Sequence, residues 1–146
     1  MRPLRGDRGQ SVVEFALVLP LALLLVVGIV DAARAVWAAN ALTAAAREGT
    51  RYAIVHGAQS EEPSGPGSAT FTAPDSDTAV EAVVRARASG LSDVSVSARW
   101  PDGHSGRGSP VVVEASAPFT PALSAALLGG GLRITLRAGS TLVIHR

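Results

Sequence analysis

No cysteine and no lysine occur among the 146 residues. Without cysteine there are no disulfides, no thiolate metal sites and no cysteine nucleophile. Any soluble portion must therefore hold together by packing alone or by docking on partners. Without lysine, arginine supplies every strong cation, and the net charge is only +1. So small an excess argues against a nucleic-acid-binding surface, and no nucleic acid is expected as partner. Three histidines, His56, His104 and His145, stand in unrelated contexts without metal-ligand spacing. No Gly-x-Ser-x-Gly elbow is present. Gly129–Gly131 follows no strand and opens no phosphate-binding helix. Asp75 and Asp77 belong to an acidic loop that needs no ion. The sequence thus offers no catalytic residue, no metal site and no cofactor, and the expectation is a protein that is not an enzyme.

What it does offer is a 19-residue apolar run, Val12 to Val30, with one carboxylate, Glu14, near its start. As a helix the run spans roughly 28 Å, close to the hydrocarbon thickness of a bilayer. A charged group at the centre of such a span costs about 2.5–3.5 kcal/mol on insertion scales. Glu14 sits nearer the edge, where the penalty is smaller, and is a functional candidate on that ground. Pro20 lies inside the run and removes a helical hydrogen bond, which membrane helices tolerate. Arg2, Arg5 and Arg8 precede the run while Asp31 and Arg34 follow it. That asymmetry places the N-terminus in the cytoplasm and everything after Val30 outside. A secretory signal has a shorter apolar region, although Ala33-Arg34-Ala35 mimics its cleavage site.

Beyond Val30 the residues remain compatible with helix, and Gly49 is the first expected breaker. The reading is one rod from about Ser11 to about Glu48, with Asp31 and Arg34 sharing one face and Arg47 and Arg51 another. Ser60 to Asp77 is rich in Ser, Pro, Gly and Glu and reads as a loop or linker. Thr78 is positioned to cap a helix over Ala79–Ser89, which Gly90 stops. Val94, Val96, Ala98 and Trp100 alternate with polar residues as in a half-buried strand. Val111–Ala117 follows as a second strand, which Pro118-Phe119-Thr120-Pro121 breaks. A short helix over Ala122–Leu128 precedes a last strand region. There, Thr141–His145 forms either a fourth strand or the third continued past a bulge at Ala138-Gly139. The fold class is α+β: a long N-terminal transmembrane helix extending into a small domain with a short helix and a three- to four-stranded antiparallel sheet. The expected organisation is a basic leader (1–9), the membrane and extended helix (10–55), a loop (56–77) and an exported domain (78–146).

The N-terminal block carries the most specific signal. Gly9-Gln10-Ser11-Val12-Val13-Glu14-Phe15 resembles the processing site of type IV prepilins, where a membrane peptidase cuts after the glycine. The resemblance continues through Pro20, Gly28, Asp31, Arg34 and Ala46-Arg47-Glu48-Gly49-Thr50-Arg51. As an ordered set these residues look like the TadE-like family of pilin-like proteins (pseudopilins) from the tight-adherence, or Flp, pilus assembly system. The likeness implies a bitopic inner-membrane protein in pilus biogenesis or secretion. Its implied partners are a prepilin peptidase, other pilin-like subunits and a Tad-type assembly platform. Gly9, Gln10, Glu14 and Phe15 would then be processing positions. Glu14, Pro20, Asp31, Arg34, Arg47, Glu48 and Arg51 would be assembly contacts. The chain's size favours a TadE- or TadF-like protein over the larger TadG type. Two other readings stay open. One is an uncleaved, membrane-tethered binding domain, to which Gly9→Val would matter little. The other is a secreted protein released near Ala35.

Overall fold

The computed structural model describes residues 7–72, 74–129 and 131–145, so residues 1–6 of the expected leader lie outside the described residues. Helix α1 (Asp7–Val55) carries the N-terminal 49 described residues and continues through Pro20. A two-residue hairpin, β1 (Phe71–Thr72) and β2 (Ser76–Asp77), leads into α2 (Thr78–Arg87). Strands β3 (Ser95–Arg99) and β4 (Pro110–Phe119) follow, then α3 (Ala122–Leu128) and β5 (Ile134–Val143). The chain is α+β, with a long apolar helix, short helices and two antiparallel sheets of two and three strands. It divides into two compact units. One holds α1 as far as Ala35 together with Thr120–Leu132; the other holds Val36–Phe119 and the chain from Arg133 onward.

In the second unit the three-stranded sheet has the order β3-β4-β5. Alternation along β4 buries Val111, Val113, Ala115, Ala117 and Phe119 on one face. The first four share one core with Val80 and Val84 of α2, Ala88 at its C-cap, and Leu42, Ala45, Ala46 and Ala53 of α1. The α1 residues recur at helical spacing, so one stripe of this part of the helix is buried in the core. Gly49 lies on that stripe, and α1 runs past it to Val55. The expectation that Gly49 ends the helix is therefore corrected. A Cβ at this position would fall inside the contact limit of Val84 Cγ2 and 3.2 Å from Val113 Cγ1. The missing side chain serves close packing, which outweighs the modest helix penalty of glycine.

Three further expectations change. β4 runs on through Pro118 to Phe119, because β3 pairs only with residues 112–116. Pro118 therefore has a sheet neighbour on one side only, Thr135, where the lost N–H can be tolerated. β5 is a single strand without a bulge, its register continuous from Phe119↔Ile134 to Pro110↔Val143. The cap of α2 is Asp77, not Thr78: Asp77 Oδ1 accepts from the Ala79 and Val80 amides at 3.0 and 3.2 Å.

The Ser60–Asp77 segment is tied down at several points. Ser64 is buried and donates through its backbone N–H and its Oγ to the His56 carbonyl. Gly65, at φ +87°, lies under Trp100, where a Cβ would approach the indole to 2.5 Å. Phe71 meets the same ring edge-on at 5.7 Å. His56 stacks on Tyr52 at the end of α1, and His104 accepts from the Gly106 amide within its turn. Two of the three histidines thus have structural surroundings.

Candidate functional site

All residues from Gly9 to Val27 of α1 are exposed. Phe15 and Leu17 show 64% and 69% of their surface, and Leu21 and Leu25 are similarly bare. Monomeric soluble proteins rarely leave so continuous an apolar surface open, so this part of α1 needs lipid or apolar partners around it. Its length and hydropathy meet the requirement for a membrane crossing.

At the start of this surface the backbone around Gly9 is open, with nothing within 4 Å of where a Cβ would stand. Gln10 and Glu14 lie one turn apart, and Gln10 Nε2 donates to Glu14 Oε1 at 3.2 Å. Phe15 points away from any protein neighbour that would bury it. The structure thus brings Gln10 and Glu14 together. Pro20 stands apart in the exposed run, where it denies the Ala16 carbonyl its usual helical donor.

A second constellation closes the apolar run. Asp31 is only 7% exposed, although it follows Val30 directly. Its Oδ1 accepts from the Ala122 amide at 2.9 Å and its Oδ2 from the Leu123 amide at 2.8 Å. Arg34, three residues on, pairs with Oδ1 at 3.0 Å. Asp31 thereby caps a helix 91 residues away in sequence. Helix α3 needs that help because Pro121 occupies its N-cap position and offers no side-chain acceptor. The expected Asp31–Arg34 pair is present, and the α3 amides are its unforeseen members. The signal was available as a helix start with no Ser, Thr, Asp or Asn at its cap, which requires an acceptor from elsewhere.

The Leu123 and Ala122 amides, followed by Arg34, hold the Asp31 carboxyl below the usual carboxylate range. Because the folded-state value is depressed, the stabilisation is complete above the unfolded carboxylate pKa and is lost as pH falls through the folded value. Amide resonances of Ala122 and Leu123 should hold steady from neutral pH down to about pH 5 and then shift together below about pH 4. A transition centred above the ordinary carboxylate value would show that the cap is not formed.

The remaining α1 candidates behave differently. Arg47 and Arg51 are exposed and Glu48 is half-exposed, and none has an ion-pair partner among the described residues. They form a free charged edge beside the buried stripe of Ala45, Ala46, Gly49 and Thr50. Thr50 Oγ1 donates to the Ala46 carbonyl at 2.8 Å and faces the Ser140 carbonyl at 3.4 Å. The outer face of the sheet is polar, with Arg99 paired to Glu114 at 2.7 Å. Ser95, Ser97, Ser116 and Arg137 line an open trough there beside Gly139. Among the described residues no cluster of three or more His, Asp or Glu could hold a metal ion.

No curated protein and no solved structure matches the chain. The exposed apolar run, the Gln10–Glu14 turn, Asp31 with Arg34 and the charged edge to Arg51 all fall within residues 9–51, and that segment matches the family of the TadE-like protein.

Proposed function

We propose that this chain is a non-catalytic, membrane-anchored TadE-like minor pseudopilin that acts in Tad-type pilus biogenesis or secretion and assembles through α1. The observation that carries the reading is the coincidence of the family match with a fully exposed apolar helix bearing Gly9, Gln10 and Glu14 at its start. Helix-to-helix association between subunits would cover surface that the chain leaves bare. A prepilin peptidase would cut after Gly9 on the cytoplasmic side, where a backbone without a side chain fits a narrow cleft. The leader would leave, and the membrane helix would stay.

Cleavage creates a positive α-amino group on Gln10, one helical turn from Glu14. That ammonium would compete with the Gln10 amide for Glu14, within one subunit or from a neighbour. In lipid the attraction is strong, and the desolvation of both charges offsets part of it. The pair therefore sets register more than it adds stability. Arg2, Arg5 and Arg8 orient the anchor with its N-terminus in the cytoplasm and the sheet-bearing unit outside. Arg47, Glu48 and Arg51 present charges to pilin-like subunits or to the assembly platform.

The second reading, an uncleaved tethered binding domain, draws on the polar trough of the sheet. Intact mass and N-terminal sequencing of the protein from its native membrane, with and without the peptidase, separate the two. A chain beginning at Gln10 only when the peptidase is present supports the pilin-like route. A chain still beginning at Met1 in both cases sinks it and shifts attention to the trough.

A further inference from the structure

We propose that α3 and Leu132 form a second, interfacial contact with the outer leaflet of the bilayer, stapled to the end of the membrane span by Asp31. The inference rests on the reading of residues 12–30 as a membrane span. Three observations in the first unit lead to it. Leu123 Cδ2 lies 4.0 Å from where a Cβ on Gly28 would stand, and Gly28 is two residues inside the apolar run. The start of α3 therefore sits about 3 Å short of the last apolar residue along the helix axis.

The Asp31 carboxylate holds both the Ala122 and the Leu123 amides, which fixes α3 at that depth. Beyond this anchor the segment keeps its apolar character. Leu127 is 61% exposed and Leu132 56% exposed. No charged residue occurs from Ala115 to Leu132.

A seven-residue helix is far too short to cross a bilayer, so it can only lie on one. Apolar faces of such helices sink roughly 5–10 Å into the boundary between headgroups and acyl chains. Lipid is the occupant that continuity requires. At the level where Leu123 meets Gly28, the neighbouring α1 side chains Ile29 and Val30 are exposed, and on the same reading they face acyl chains. Leu127 and Leu132 extend that surface sideways. The contact would limit tilting and rotation of the anchor.

The absence of cysteine makes the test clean. Single cysteines are placed by Leu127→Cys, by Val18→Cys within the span and by Glu61→Cys on the exposed loop. Each full-length protein is labelled with an environment-sensitive fluorophore in phosphatidylcholine–phosphatidylglycerol vesicles. Nitroxide lipids carry the quencher either near the headgroup or near the chain end. The 127 label should be quenched about twofold or more better by the shallow quencher, the 18 label by the deep one and the 61 label by neither. Adding Asp31→Ala should return the 127 label towards the loop value while leaving the 18 label unchanged.

A 127 label that matches the loop while the 18 label is quenched overturns this proposal and leaves the span intact. Shielding of the 127 label only by an added pilin-like subunit, without lipid quenching, assigns the leucines to a protein contact and overturns it equally. An unquenched 18 label removes the span and the proposal together.

Discussion

Asp77→Ala should lower the folding stability of the sheet-bearing unit by about 3–5 kcal/mol, a large share of the roughly 5–15 kcal/mol that a domain commands. Asp77 is completely buried, and its carboxylate accepts four hydrogen bonds. Oδ1 takes the Ala79 and Val80 amides in the first turn of α2, a cap whose loss costs about 0.5–2 kcal/mol. Oδ2 takes the Gly65 amide at 2.7 Å and the Thr70 hydroxyl at 3.1 Å. Gly65 is itself buried, so its orphaned N–H adds about 1–3 kcal/mol. Asp77→Asn keeps an acceptor for the α2 amides but turns an N–H towards the Gly65 N–H, and should lose about half as much. Asp75→Ala, two residues away and exposed, should stay within about 0.5 kcal/mol of the parent. Urea unfolding in detergent micelles, followed through Trp100 in a Trp37→Phe background, reads all three. An Asp77→Ala protein as stable as Asp75→Ala would show that the carboxylate does not organise the loop.

Asp77 also marks where the sequence could be read and where it could not. Local pattern disclosed whatever depends on neighbours in the chain. The apolar run and the alternation of Val96, Ala98 and Trp100 came from spacing, and the span of α2, to within a residue or two, from the start and stop signals at its ends. The block from Gly9 to Phe15 could be read only as a resemblance, carried by the order of its residues. What failed depended on distant partners. Composition reads Ser60–Asp77 as a loop, and nothing nearby says that Gly65 lies beneath Trp100 or that Asp77 reaches back to Gly65. Pro118 resembles a strand breaker until the short reach of β3 leaves that part of β4 unpaired on one side. Asp31 and Arg34 read as a helix-surface pair, because the two amides that bury Asp31 lie at residues 122 and 123. Each error came from a residue whose role is set by the element packed against it.

Gly49 is the sharpest of these cases. Gly49→Val should destabilise the sheet-bearing unit by about 3 kcal/mol or more, as overpacking of a filled core does. Gly49→Ala decides between two opposing effects. Alanine gains about 1 kcal/mol in an exposed helix interior. Here its Cβ would press into Val84 Cγ2 and stand 3.2 Å from Val113 Cγ1. Val84 and Val113 are both fully buried, so neither can swing clear, and the clash should exceed the gain. The substitution should therefore lower stability by about 1–2 kcal/mol in the same unfolding measurement. Val84→Ala alone leaves a cavity, but combined with Gly49→Ala it makes room for the new methyl. The double variant should be more stable than the sum of the single losses by about 1 kcal/mol or more. Additive losses, or a Gly49→Ala protein more stable than the parent, would mean that α1 can shift against the sheet. The predicted coupling gives the end of the matched segment a second task. Residues near its start leave a bare apolar helix surface uncovered, while Ala46, Gly49 and Thr50 fix how closely that same helix seats on the sheet. A side chain at 49 would disturb the seating without touching the exposed apolar run.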